Sequence, residues 1–233
     1  TDSSQYEQYA KNMKSYIEAI DKTRPITVGD NNPYGLQSAN PTEFRNKVST
    51  VLAKNGEGLA GANYSMGSLS GIHNAHPDWK IIATETASPS NSRGIYNTLS
   101  QYNKKGDYQC TAYDTNAVSW GNTARESWWY TIKDDFVSGE FIWTGFDYLG
   151  EPTPYSVYPV GVSSFGTIDT AGFAKDVVYM YKSMWTDTPT VHLLPQKWNF
   201  KAGQKVPVYI YTNAKSVELF LNGKSLGIKN YDK

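Results

Sequence analysis

The sequence predicts an α/β region with parallel strands over residues 1–187, followed by a small all-β region over residues 188–233. Helical apolar periodicity and short apolar runs alternate as far as Trp185, which is the pattern of strands joined by helical crossovers in a barrel or an open sheet. The alternation stops at Thr186-Asp-Thr-Pro189, beyond which short strands and turn signals suit a β-sandwich. The run Lys80-Ile-Ile-Ala-Thr-Glu85 closes an apolar strand on a single carboxylate, the address at which a parallel barrel keeps catalytic groups.

The elements follow in order. Ser4 and Glu7 have capping-box spacing, and Tyr6, Tyr9, Ala10, Met13, Tyr16, Ile17 and Ile20 then share one helical face. A short apolar step, Pro25 to Val28, leads into a Gly/Asn/Pro-rich loop from Gly29 to Gly35. A second helix is expected with Asn40 as cap, Pro41 in the first turn, Phe44, Val48, Val51 and Leu52 inward, and Asn55-Gly56 as stop. Gly58 to Tyr64 and Lys80 to Glu85 read as strands. After a loop-rich insert come a helix from Ala124 to Phe136 with Trp128, Trp129 and Ile132 among its apolar positions, a strand from Glu140 to Phe146, and a helix from Lys175 to Trp185. The all-β part offers Val191 to Leu194, Val206 to Thr212, Ser216 to Phe220 and Lys224 to Ile228, the last two joined by an Asn222-Gly223 hairpin turn. Four parallel strands are half of an eight-stranded barrel, and four antiparallel ones fall short of the roughly seven in a sandwich. The chain is therefore expected to be an internal piece of a longer protein.

Composition narrows the partners. With 22 basic and 22 acidic residues the net charge is zero, which gives no electrostatic reason to expect nucleic acid. No apolar run approaches the roughly 20 residues of a membrane span. A lone cysteine, Cys110, excludes an internal disulfide framework and a cysteine metal cage. His73 and His76 are three apart in a segment that reads as non-helical, so they are expected to be surface histidines rather than ligands. No metal and no cofactor is indicated. The 18 Tyr and 7 Trp are compatible with stacking on sugar rings, as well as with ordinary core filling.

The segment Ser138-Gly-Glu-Phe-Ile-Trp-Thr-Gly-Phe-Asp-Tyr-Leu-Gly-Glu-Pro-Thr-Pro154 closely resembles the last barrel strand of glycoside hydrolase family 2, in its bacterial β-galactosidase branch. Thr23-Arg-Pro-Ile-Thr27, Gly61-Ala-Asn-Tyr64, Ile82-Ala-Thr-Glu-Thr86, Ser92-Arg-Gly94, Ser164-Phe-Gly-Thr-Ile-Asp-Thr-Ala-Gly172 and Val217-Glu-Leu-Phe-Leu-Asn-Gly-Lys-Ser-Leu-Gly227 agree in order. The resemblance implies the C-terminal half of a (β/α)8 TIM barrel, strands five to eight, over residues 1–187. Residues 188–233 would then open an immunoglobulin-like sandwich.

The resemblance also implies roles. Glu85 would be the nucleophile of a retaining exo-β-glycosidase, Tyr64 the phenol that orients it, and Trp143 a sugar-stacking wall. Asn63 would bind substrate; Asp147 and Glu151, which follow Trp143 into the loop at the same barrel face, could either accept hydrogen bonds from sugar hydroxyls or fix the loop. Retaining enzymes need two carboxyl groups roughly 5–5.5 Å apart. The family's acid/base residue sits in an Asn-Glu pair on the fourth strand, no Asn-Glu dipeptide occurs in this sequence, and the chain by itself is expected to be inactive. The expected substrate is a terminal β-galactoside, with glucuronides and mannosides as alternatives within the same chemistry. The expected protein partners are the remaining segments of the full-length enzyme and further copies in a homo-oligomer. A non-catalytic carbohydrate-binding or structural fragment is the competing reading.

Overall fold

Four short strands pair in the order in which they occur along the chain, and each runs parallel to its neighbours. In the computed structural model residues 3–41, 44–54, 58–97 and 108–231 are described. They fall into two compact units, Thr1–Pro89 with Ala117–Thr144, and Ser90–Asn116 with Gly145–Lys233. Among the described residues no helix is long and apolar enough to cross a membrane.

In the first unit the elements are α1 (Ser3–Ile20), β1 (Gly29–Asp30), α2 (Pro33–Leu36), α3 (Phe44–Ala53), β2 (Leu59–Asn63), α4 (Leu69–Ala75), β3 (Lys80–Ala87), α5 (Ala124–Ile132) and β4 (Val137–Trp143). The sheet order is β1-β2-β3-β4, all parallel. Parallel neighbours need crossovers, and α3, α4 and α5 supply them. Ala60 and Ala62 of β2, Ile81 and Ala83 of β3 and Val137 of β4 pack against Leu36, Ala53, Leu69 and Ile72 from the helices and make the core. α5 begins at a full capping box: Thr123 accepts from the Glu126 N–H while the Glu126 carboxylate accepts from the Thr123 N–H.

Several expectations are corrected here. The segment Gly29 to Gly35 is not all loop, because Asn32 caps the short helix α2 and Pro33 fits its first turn. The strand placed at Glu140 to Phe146 is Val137–Trp143, and α5 ends at Ile132 rather than Phe136. Trp129 and Ile132, two of the apolar positions of α5, are exposed. The apolar stripe of α1 is mostly exposed too, with Ala10 its buried member. His73 and His76 are not surface residues in an irregular segment. His73 belongs to α4 and stacks on Phe136, and His76 is buried against Trp79, each ring packing face to face at about the van der Waals distance. The Asn55-Gly56 stop lies outside the described residues.

The second unit holds α6 (Asp176–Trp185) and two antiparallel pairs, β5 (Val191–Leu194) with β6 (Tyr209–Thr212), and β7 (Ser216–Leu221) with β8 (Lys224–Asn230). The predicted Asn222-Gly223 turn is present, with φ of 50° and 78° at its two central residues, the left-handed pair that a tight hairpin requires. His192 of β5 joins Asp176 of α6 at 2.6 Å and stacks on Tyr179 at 3.8 Å between ring centroids. The same carboxylate accepts from Tyr96, and burial with this bond pushes the Tyr96 phenol well above its ordinary range.

Candidate active site

A strand's side chains alternate between faces, so the core-facing Ala62 sends Asn63 to the opposite side of the sheet. Asn63 stands in register with Glu85, and paired residues of parallel strands share a face. Strict alternation along β3 would do the reverse, since Ile81 and Ala83 face the helices and Glu85 is two residues further on. A β-bulge resolves the conflict. Gly61 and Asn63 pair with Ile82 and Glu85, while Glu140 and Ile142 pair with Ala83 and Thr86. From both sides β3 carries one extra residue between Ala83 and Glu85, which re-aims Glu85 to the face away from the helices.

Glycines let neighbouring strands and side chains pack closely on that face. A Cβ on Gly61 would lie 2.3 Å from the Val28 carbonyl and 2.9 Å from Thr84 Cγ2, and one on Gly29 would lie 2.9 Å from Asn63 Oδ1. Thr84 donates to Asn63 Oδ1 at 2.6 Å, which fixes the amide beside the Glu85 register position. β4 carries an extra residue of its own between Val137 and Glu140, and alternation counted from Glu140, the partner of helix-facing Ala83, puts Trp143 on this side as well, opposite Ala87.

The chain is tightly turned where these strands end. Tyr64, Ala87 and Ser88 have φ of 47°, 65° and 57°, a left-handed conformation that residues with a Cβ seldom adopt. Such outliers cluster where a site over-determines the backbone. The Tyr64 N–H donates to the Glu85 carbonyl at 2.7 Å, and its phenol lies 3.0 Å from Ser88 Oγ. The Ser88 N–H donates to the Trp143 carbonyl at 3.1 Å. Asn63, Tyr64, Glu85 and Trp143 are thus brought together at the C-terminal ends of β2, β3 and β4, with Ser88 as a connector that the sequence did not suggest.

Glu85 is half-buried, and among the described residues no cation and no hydrogen-bond donor meets its carboxylate. This distinguishes it from Glu140, which sits toward the helices. Glu140 accepts from Thr86 Oγ1 at 2.9 Å, and burial pushes its carboxyl above the ordinary range.

Asp147 and Glu151 belong to the second unit. Lys175, 2% exposed, donates to Asp147 Oδ1 at 2.8 Å and lies 2.7 Å from Oδ2, while the Gly166 N–H also donates to Oδ1. Burial pushes Asp147 up and Lys175 down, each against the attraction of its partner. The ammonium further donates to the Asn91 carbonyl at 2.8 Å. Glu151 accepts from the Tyr148 phenol. Lys175 was not singled out from sequence, although a lysine at the start of a helix opposes the helix dipole and so hints at another partner.

Among curated proteins, the β-galactosidase BoGH2A of Bacteroides ovatus is 40% identical over 234 residues, covering 95% of this chain and 26% of that protein. The crystal structure of a β-glycosidase from Bacteroides vulgatus superposes with a TM-score of 0.73 at 31% identity, covering 97% of this chain and 30% of that one. The chain belongs to glycoside hydrolase family 2. A second relative, a putative β-glucuronidase of Formosa agariphila, is 31% identical over 250 residues, covering 94% of this chain and 22% of that protein. A domain of unknown function, DUF4982, matches residues 203–233. The family 2 chain described here spans about a quarter of the length of the curated relatives it matches.

Proposed function

We propose that residues 1–187 are the C-terminal half of a (β/α)8 TIM barrel and residues 188–233 the opening of an immunoglobulin-like sandwich, in a retaining exo-β-glycosidase that hydrolyses terminal β-galactosides. The sequential strand order supports the barrel: same-handed crossovers between consecutive neighbours put every helix on one side, as a closing barrel requires. The observation that carries the function is Glu85, a half-buried carboxylate without a partner among the described residues, turned by a bulge onto the face opposite the helices at a strand's C-terminal end.

In the proposed reaction Glu85 attacks the anomeric carbon while a second carboxyl group, assigned to a part of the protein outside these residues, protonates the departing oxygen. Water then hydrolyses the covalent glycosyl-enzyme, and the second carboxylate takes the water's proton. Tyr64 orients the nucleophile, Trp143 stacks on the sugar, and Asn63 binds a hydroxyl. Asp147 and Glu151 follow in the loop that continues from β4, where Lys175 and Tyr148 engage them, which favours the loop-fixing reading of both.

Galactose is preferred because the 40% identical relative is named a β-galactosidase. The 31% identical relative favours a glucuronide as the second reading. An activated 2-deoxy-2-fluoro-β-galactoside is expected to label Glu85 covalently in the full-length enzyme. Labelling at another carboxylate would sink the nucleophile assignment, and turnover of glucuronides in preference to galactosides and mannosides would sink the sugar.

A further inference from the structure

We infer that Thr84 is a positioning residue for the glycosidase site, acting through Asn63: its hydroxyl holds the amide oxygen, so that Asn63 meets the sugar as a hydrogen-bond donor. The inference rests on the substrate-binding role proposed above for Asn63. Thr84 Oγ1 donates to Asn63 Oδ1 at 2.6 Å, from β3 across to β2. That separation suits an O–H···O bond and is short for one that starts at an amide nitrogen, so the carbonyl end of the amide is the end that meets Thr84. A side-chain amide has one acceptor oxygen and two N–H donors. With the oxygen engaged, Nδ2 is the end left over, since the side chain makes no other hydrogen bond among the described residues. Asn63 stands in register with Glu85, and Nδ2 is not spent on that carboxylate. Its protons remain for a hydroxyl oxygen of the sugar that Glu85 attacks.

The amide is seated from both neighbouring strands. On one side the bulge of β3 lies between Ala83 and Glu85, and Thr84 occupies that place, so the irregularity that re-aims Glu85 also brings the Thr84 hydroxyl to Asn63. On the other side Gly29 of β1 pairs with Gly61 of β2. A Cβ on Gly29 would lie 2.9 Å from Asn63 Oδ1, 3.0 Å from Nδ2 and 3.3 Å from Cγ, so the amide end abuts the glycine and leaves no room for a side chain. The atoms such a Cβ would meet are the far end of a flexible side chain rather than backbone. A residue larger than glycine would therefore displace the amide before it displaced the strand.

The test crosses enzyme variants with substrate variants in the full-length enzyme. Thr84→Val removes the hydroxyl and keeps the branched shape that a strand accepts. It is expected to raise KM for an aryl β-galactoside about fivefold, the worth of one neutral hydrogen bond, with kcat little changed. Thr84→Ser, which keeps the hydroxyl, is expected to restore KM. In the Asn63→Ala background Thr84→Val should cost nothing further. Across the set of monodeoxy aryl β-galactosides, the one that lacks the accepting hydroxyl should show no penalty from Thr84→Val, while the others keep it. Gly29→Ala, which leaves the Thr84 hydroxyl in place and crowds the amide, should raise KM in the same way without lowering the melting temperature. Equal losses in both backgrounds, no rescue by serine, a penalty retained on every monodeoxy galactoside, or failure of both Thr84→Val and Gly29→Ala to fold would each overturn the inference. An unchanged KM in Asn63→Ala would instead overturn the substrate-binding reading on which it rests.

Discussion

The ends of β1 and β3 both carry a carboxylate, and their surroundings could hardly differ more. Asp30, 1% exposed, accepts from Asn46 Nδ2 at 2.9 Å, Ser49 Oγ at 2.7 Å and the Asn32 N–H at 2.8 Å, so α3 and the following turn satisfy it. Glu85 is half-buried and meets no donor among the described residues. Water reaches a half-buried carboxylate, so Glu85 can stand without a protein donor at no cost of an unsatisfied buried group, and a ligand can displace that water. The comparison separates a carboxylate that builds the fold on the helix side of the sheet from one that is available for chemistry on its other face.

The sharpest way to break that contrast is Glu85→Gln in the full-length enzyme. Hydrolysis is expected to fall on the order of 10⁴-fold or more, while the melting temperature stays where it was. A variant that melts early but turns over normally when folded would make Glu85 structural after all. The next largest effect is expected at the paired charges of the second unit. Lys175→Met leaves Asp147 buried without its cation and should cost about 3–5 kcal/mol of folding stability, read from denaturant unfolding. Asp30→Ala strands the Asn46 and Ser49 donors and should cost about 3 kcal/mol, with the specific activity of the folded fraction unchanged.

The smallest effect separates Glu140 from both. Its carboxyl is raised by burial, so the folded state holds a proton that the unfolded state releases earlier as pH rises. Stability from that proton is full below the unfolded carboxyl's ordinary pKa and is lost as pH climbs through the raised folded value. Glu140→Gln, which keeps the Thr86 bond without the charge, should flatten this loss in melting curves taken from mildly acidic to neutral pH. An unchanged pH dependence would place the titration elsewhere.

Much of this was legible from periodicity. β2, β3, β5 and the β7–β8 hairpin lie close to where apolar runs and turn residues put them, because those signals are local. The exposure of Trp129 and Ile132 was not legible, because a helical stripe marks an apolar face without saying what covers it. His73 and His76 were misread because Gly67, Gly71 and Pro77 around them suggested a loop, whereas packing on Phe136 and Trp79 stabilises a helix there.

The sequence alone singled out Glu85 as a carboxylate at the end of an apolar strand, and through its motifs singled out Tyr64, Asn63 and Trp143 as companions. It could not say which way Glu85 points. Alternation counted along the chain turns it toward the helices with Ile81 and Ala83; the bulge that reverses it exists only because β2 and β4 pair with β3 in shifted registers. The Ser88 contact has the same origin. Register and a left-handed turn are set by strands that meet across the sheet, and no window of sequence contains both partners.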